Sequence, residues 1–158
     1  MRKSVLPIII MFIVSSFISC VTMADQKDFD KMSAVHEVKM SKSAIYDKAM
    51  IYVATVYNSP KKVIQYKDKG QGMIVFNGAK EWHQPMNPYS IFLHYKTTIR
   101  IKNNKYKIEM SPLHWHQPYG GHTGSNFSKS MAESYSAEFK KIDKGLYDQI
   151  SGAAGDDF

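Results

Sequence analysis

The sequence lacks several features that usually reveal a function. Its 158 residues include a single cysteine, so no disulfide can form within one chain. No internal repeat or low-complexity block is present, and the chain contains no GxSxG nucleophile motif, HExxH zinc motif or phosphate-binding loop. These absences predict a protein that is not an enzyme and that holds no ordinary cofactor.

Long apolar runs are confined to the amino end of the chain. Val5 to Ile18 is an apolar stretch that follows Arg2 and Lys3. A transmembrane helix needs roughly 20 apolar residues, whereas a secretory signal peptide needs a shorter stretch after a positively charged start. The amino end is therefore predicted to be a signal peptide, and no later segment is apolar enough to hold the chain in a bilayer.

The apolar stretch ends at the one cysteine. The run Phe17-Ile18-Ser19-Cys20 resembles the lipobox of bacterial lipoproteins, in which the cysteine becomes the lipidated first residue of the mature protein. The resemblance implies a covalent lipid on Cys20 and a stable anchor, because more than one acyl chain is attached. Val21 follows where Asp would signal retention in the inner membrane, so the resemblance also implies transport to the outer membrane, where we expect the protein to face the periplasm. The alternatives are an ordinary signal peptide cut near residues 22–24, or an uncleaved anchor.

The remaining chain has the length of one domain. We predict a signal peptide at 1–19, a lipidated polar tether at 20–31, a single domain at 32–152 and a flexible tail at 153–158. Loss of Arg2 and Lys3 with the signal lowers the formal charge from +7 to +5, because 14 acidic residues remain against 19 of the 21 basic ones. Outside the cytoplasm, such a protein is expected to meet the membrane, an acidic envelope protein or an anionic polymer rather than nucleic acid.

Apolar periodicity predicts two helices. In the first, which Ser41 or Ser43 can cap and which Asn58 and Pro60 end, the apolar residues at spacings of three and four are Ile45, Ala49, Met50, Val53, Val56 and Tyr57. In the second, the same spacing links Met131, Tyr135, Phe139, Ile142, Leu146 and Ile150. Ser130 and Glu133 have the spacing of a capping box for this second helix. Both stripes are expected to face a core.

Strands are predicted between the helices. Short β-rich runs at 63–67 and 73–76 flank a predicted hairpin loop at 69–72. A longer hairpin follows if Asn103-Asn104 forms a two-residue turn with both residues at positive φ. With an earlier strand at about 33–39, the order is β-α-β-β-β-β-α. This order predicts an α+β fold, an antiparallel sheet of about five strands with two helices on one face.

The pattern is similar to a known family. Residues 35–40, 43–46, 63–68 and 95–108 resemble a bacterial domain of unknown function with a TATA-binding-protein-like fold, common in small lipoproteins. The resemblance covers roughly residues 30–110 and implies that fold. No catalytic residue is known for the family, so it implies no active site.

Three histidines form a candidate metal site. On a strand, His114 and His116 would point to the same side, about 6.6 Å apart at Cα, and a following turn could return His122 as a third ligand for zinc or copper. The spacing permits a metal without requiring one, and polar surface residues are the simpler interpretation. The hairpin register would point the first two toward the core, unless a bulge reverses the alternation and buries Leu113 and Trp115 instead.

Two surfaces are candidates for partner binding. The first is the basic face of the long hairpin, which carries Lys96, Arg100, Lys102, Lys105 and Lys107. Like charges opposite one another destabilise a sheet unless they are solvated or meet an anion. The second is a segment rich in aromatics and prolines, residues 82–89, with Trp82 and Tyr89 as candidate contacts. A solvated face and a connection packed on the sheet edge are the respective alternatives.

These features lead to the hypothesis of a non-catalytic, membrane-anchored envelope lipoprotein that binds an unidentified partner. One alternative is an immunity or inhibitor lipoprotein against an envelope-directed toxin. The other is a metal-binding protein that uses the histidine cluster. An acidic partner would favour the first two, and metal dependence would favour the third.

Overall fold

The structure is a computed structural model that describes residues 22–29, 32–83 and 89–152. The predicted signal peptide, Cys20 and the predicted tail lie outside these residues. Among the helices of the described part, none is both long and apolar enough to cross a membrane.

Within the described residues the chain forms six strands and three helices. They are β1 (Ser33–Glu37), α1 (Lys42–Val56), α2 (Pro60–Val63), β2 (Ile64–Asp68), β3 (Met73–His83), β4 (Ser90–Lys102), β5 (Lys105–Gln117), β6 (His122–Gly124) and α3 (Lys129–Ser151). All strand pairs are antiparallel, in the order β1-β5-β4-β3-β2, and β6 pairs with the carboxyl end of β5. The predicted α+β order is confirmed, and the short α2 and β6 are additions to it.

Both predicted helices form, and one cap differs. Of the two predicted caps of α1, Ser41 is the one that forms, and its hydroxyl accepts a hydrogen bond from the Ala44 N–H. At the start of α3 the hydroxyl of Ser128, not that of Ser130, accepts a hydrogen bond from the Met131 backbone N–H. The predicted stripe of α3 is buried throughout, whereas Val56, predicted to face the core, is 46% exposed at the last residue of α1.

The β4–β5 hairpin has the register that a two-residue Asn103-Asn104 turn predicts, with Lys102 opposite Lys105, but the conformation of the turn differs. Of the two turn residues only Asn104 takes a positive φ, 62°. The turn also makes tertiary contacts: Asn103 Oδ1 accepts a hydrogen bond from the Lys42 N–H, at 2.9 Å. The backbone of Asn104 also bonds to Val38 and Met40, at 2.8 and 2.9 Å. The connection between β1 and α1 therefore holds the turn.

Strand β3 extends well past its predicted end. Glycine normally weakens a strand interior, but Gly78 pairs with Tyr95, and a Cβ at Gly78 would lie 2.3 Å from the Tyr95 ring. Tyr95 is 2% exposed, and its hydroxyl lies 3.2 Å from that of Tyr57. The ring thus replaces the missing side chain. As a consequence Trp82, predicted to lie in a loop, is on β3 and packs half-buried against the core.

The core lies between the helices and one face of the sheet. Alternate residues of β3, β4 and β5 are buried there against α1 and α3. The two helices approach closely at Gly145, where a Cβ would lie 2.9 Å from the Tyr52 ring. His36 Nε2 lies 2.7 Å from Asp143 Oδ1, which ties the edge strand β1 to α3. The helices therefore cover a single face.

Residues 22–29 lie in the segment predicted to be a tether, yet they pack on the domain. The Lys129 N–H donates to Thr22 O at 3.0 Å, and the Ala24 N–H donates to Phe127 O at 2.8 Å. A 3-10 turn, Gln26–Asp28, follows and is closed by a capping box of two aspartates. The Phe29 ring packs edge-on against Phe127, 5.7 Å between centroids. The polar side chains of this segment satisfy backbone groups, so it does not extend from the domain.

Gly78→Ala is expected to destabilise the fold, although Ala in a strand is ordinarily more stable than Gly by about 0.5–1 kcal/mol. The added methyl group would overlap the Tyr95 ring, and overpacking costs about 1–3 kcal/mol. Urea unfolding measures the change. Gly78→Ala combined with Tyr95→Leu should cost less than the sum of the two single changes, because the shorter side chain makes room. A neutral or stabilising Gly78→Ala would contradict this packing.

Candidate binding face of the sheet

In the described part of the chain, no element covers the face of the sheet opposite the helices. Strand alternation assigns to it the even-numbered residues of β4 and the odd-numbered residues of β3, whose neighbours are buried in the core. Cross-strand pairing arranges these residues in rows across the sheet. Cations lie at the end near the Asn103-Asn104 turn, and histidines lie toward the other end.

The basic patch consists of Arg100, Lys102, Lys105 and Lys107. Lys102 pairs with Lys105 next to the turn, and Arg100 pairs with Lys107 in the next row of this face. Glu109 meets the second pair: one carboxylate oxygen lies 2.8 Å from Lys107 Nζ, and the other accepts a hydrogen bond from Arg100. The hydrogen bond from Lys107 lowers the pKa of Glu109, and the charges of both cations lower it further. One carboxylate therefore pairs with two cations.

The other pair of the patch has no such partner. Among the residues that the structure describes, no carboxylate lies within ion-pair distance of Lys102 or Lys105. Glu37 is across from Lys105 on β1 but forms no ion pair with it. Lys96 is exposed farther along β4, apart from the patch. Two like charges therefore face each other at the turn end of the sheet, and among the described residues neither lysine forms an ion pair, although Glu37 lies across from Lys105.

An open cavity of about 290 Å³ lies on the basic patch. Its lining consists of Val35, Arg100, Lys102, Lys105, Tyr106 and Lys107. Val35 is 62% exposed and pairs with Lys107, so it forms an apolar wall beside the cations. The cavity suits a ligand that is negatively charged and carries some apolar surface.

A bulge in β5 decides where the predicted histidines point. Tyr95 pairs with Pro112 but His94 pairs with His114, so Leu113 is an extra residue that reverses the alternation. His114 and His116 therefore lie on the open face, and Trp115 turns toward the core. Leu113, which the bulge was expected to bury, is 38% exposed.

His94 joins the two histidines on the open face. Its ring stacks on that of His114, with 4.4 Å between centroids, and lies 6.5 Å from the ring of His116. His122 pairs with Gln117, which places it on the opposite side of β6 from the other histidines. In the described ranges, no three side chains have the geometry of a metal site. Sequence reasoning missed His94 because the bulge shifts its partner by one residue.

The candidate contacts of segment 82–89 separate in the structure. Trp82 pairs with Ile91 and points toward the core. Tyr89 stacks on Tyr119, with 5.2 Å between ring centroids, and these rings are 44% and 72% exposed. Residues 84–88 lie outside the described residues. The tyrosine pair is at the end of β5 away from the basic patch, so the two candidate surfaces are distinct.

The pKa of His94 predicts a pH-dependent stability. Partial burial lowers this pKa below its ordinary value of 6.5, and charge on His114 and His116 lowers it further. As the pH falls through 6.5 toward the lower folded pKa, the unfolded chain binds the proton first, and stability is lost. Glu109 contributes its loss only below its ordinary value of 4.5, in a separate window.

Thermal unfolding from about pH 7.5 to about pH 5.5 tests this expectation. His94→Gln should lose less of its melting temperature over this range than the parent protein, because glutamine does not titrate. His122→Gln, at an exposed position away from the stack, should behave as the parent. An equal loss of melting temperature in the parent and in His94→Gln would show that protonation of His94 does not govern the dependence of stability on pH.

Comparison with known proteins identifies a family and similar folds. Residues 33–116 match the family described as "Domain of unknown function (DUF4468) with TBP-like fold". The crystal structure of a TBP-like protein from Parabacteroides distasonis is similar, with a TM-score of 0.60 at 15% identity over 75% of this chain and 90% of that one. The crystal structure of a DUF4468 family protein from Bacteroides ovatus also has a TM-score of 0.60, at 10% identity. This match covers 80% of this chain and 95% of that one. At these identities the structures show the fold alone. Among curated proteins, none matches significantly.

Proposed function

This chain belongs to the family of domains of unknown function with a TBP-like fold, and we propose that it is a lipid-anchored, non-catalytic envelope protein that binds an acidic segment of another protein. The observation that carries the proposal is the Lys102–Lys105 pair. These lysines face each other without a carboxylate partner among the described residues, and they line a cavity. A partner carboxylate would remove the repulsion between them.

An acidic protein segment fits the basic patch better than a uniformly charged polymer. The exposed Val35 would contact an apolar side chain of the partner while the cations pair with its carboxylates. Such complementary charge accelerates association and makes it sensitive to salt. The immunity or inhibitor alternative would use the same patch, with an envelope-directed toxin as the acidic partner, so the same variants test both.

The lipid anchor is proposed from the sequence. Cys20 is the single cysteine, and the run before it resembles a lipobox. Acyl chains on its sulfur and amino end would hold the protein on the outer membrane, because each buried methylene contributes about 0.8 kcal/mol. The anchored protein would then meet its partner in the periplasm.

Reversal of the unpaired lysines, Lys102→Glu with Lys105→Glu, is expected to abolish binding of an acidic peptide. Fluorescence anisotropy with a labelled peptide of alternating Glu and Leu measures the binding. The parent should bind more weakly as salt rises, because the Debye length falls from about 10 Å at 0.1 M to about 3 Å at 1 M. The variant should show no rise in anisotropy even at low salt, since the attraction has been replaced by repulsion.

Lys140→Glu with Lys141→Glu is the matched control, since it changes the net charge equally at two exposed positions of α3. This control should bind the peptide like the parent. Exposed charges contribute under about 1 kcal/mol each to folding, so both variants should unfold close to the parent. Equal loss of binding in both would mean that net charge alone governs capture. Tighter binding of heparin than of the peptide would favour an anionic polymer as the partner.

Cys20→Ser is expected to abolish membrane attachment, because the hydroxyl cannot replace the thiol as acyl acceptor. Fractionation of cells measures membrane attachment, and incorporation of labelled palmitate measures acylation of the protein. The variant should lose the label and leave the membrane fraction. Equal membrane retention of parent and variant, with unchanged processing, would refute the lipid anchor.

A further inference from the structure

We infer that the domain stands upright on its membrane, with the Tyr89–Tyr119 end of the sheet resting on the lipid and the basic patch facing away from it. The inference rests on the proposed lipidation of Cys20. It adds an orientation and a second membrane contact to that proposal.

The chain leaves little slack between the anchor and the domain. Thr22 O accepts a hydrogen bond from the Lys129 N–H, and Met23 pairs with Ser128. Two residue steps along the sequence join Cys20 to Thr22, and one residue spans at most about 3.6 Å, so a lipid on Cys20 would be attached within about 7 Å of the docked Thr22. The acyl chains would therefore hold the amino end of α3 close to the lipid headgroups.

Exposed aromatic rings lie at the same end of the sheet. The Tyr135 hydroxyl, near the start of α3, lies 3.0 Å from His94 O and 3.4 Å from His114 O, which places this helix end over the beginning of β4 and the end of β5. Tyr89 precedes β4 and Tyr119 follows β5, with their rings stacked. Tyrosine is enriched at membrane–water interfaces because its ring is apolar and its hydroxyl is polar. The pair is thus suited to the headgroup layer beside the anchor.

The basic patch lies at the far end of the same strands. β4 contains 13 residues from Ser90 to Lys102. At about 3.4 Å per residue, the strand separates its two ends by about 40 Å. The Debye length at physiological salt is about 8 Å, so anionic headgroups at one end do not neutralise cations at the other. In the upright orientation the basic patch remains available to a protein partner.

Fluorescent labels at the two ends test the orientation. The lipidated mature protein is reconstituted in phosphatidylethanolamine–phosphatidylglycerol vesicles that contain a headgroup-linked quencher. Cys20 would be acylated, so a cysteine introduced by Ser125→Cys or Gln71→Cys is the one free thiol. Position 125 is exposed just before α3. Position 71 is exposed at the patch end, where the Ile101 N–H donates to Gly72 O at 2.7 Å.

The upright orientation predicts loss of fluorescence from the label at position 125 and none from the label at position 71. Loss at both positions would overturn the inference, because it would mean that the open face lies flat on the anionic lipid. If Cys20 is not lipidated, the protein fails to sediment with vesicles and Cys20 itself takes up the label. That result overturns the anchor and the inference with it, and it differs visibly from a flat orientation.

The tyrosine pair has its own test. Tyr89→Ser with Tyr119→Ser should increase quenching of the label at position 71, because the domain would then pivot about its anchor. Tyr66→Ser removes a tyrosine that is 41% exposed on β2, away from the anchored end, and should leave the quenching unchanged. Unchanged quenching in the double variant would show that the pair makes no contact with the membrane.

Discussion

The register of the β4–β5 hairpin governs most of this structure. The Asn103-Asn104 turn is held by Lys42 and by the backbone of the β1–α1 connection. Because side chains alternate along a strand, a slip of one residue between β4 and β5 would exchange the buried and open faces of the strand that slips. The register thus buries apolar residues such as Ile99 and Ile108 under the helices, and it also lines up the cations on the open face.

The bulge at Leu113 adds a second constraint. Without it, Trp115 would face solvent, and the imidazoles of His114 and His116 would point into the core, where polar groups need partners. With it, the open face has a basic end and an end that carries histidines and aromatic rings. In the proposed orientation, the end with the aromatic rings would rest on the membrane and the basic end would bind the partner.

The docked amino-terminal segment fixes the position of the amino end relative to the two ends of the sheet. A free polar tether would let the domain rotate and would place no constraint on the face that meets a partner. Thr22 and Ala24 instead bond to the start of α3 and the loop before it, and Phe29 packs against Phe127. The site of the proposed anchor is therefore tied to a fixed place on the domain, remote from the Lys102–Lys105 pair.

Local patterns determined the parts of this protein that depend on near neighbours. Apolar spacing predicted α1 and the buried stripe of α3. Turn chemistry predicted the pairing that brings Lys102 opposite Lys105. Both predictions succeeded because the geometry of a helix or a hairpin is set within a few residues. The residues of the basic patch were therefore predictable from the sequence.

Tertiary structure decided what depends on residues far apart in the chain. The Tyr95 ring lets β3 continue through Gly78, and the pairing of β1 with β5 places Val35 beside the basic patch. The bulge brings His94 to His114, and the start of α3 turns a polar amino-terminal segment into a docked one. Each of these features depends on a contact between side chains or strand edges that are far apart in the sequence. Such contacts form only when the chain folds, so the local spacing of residues does not predict them.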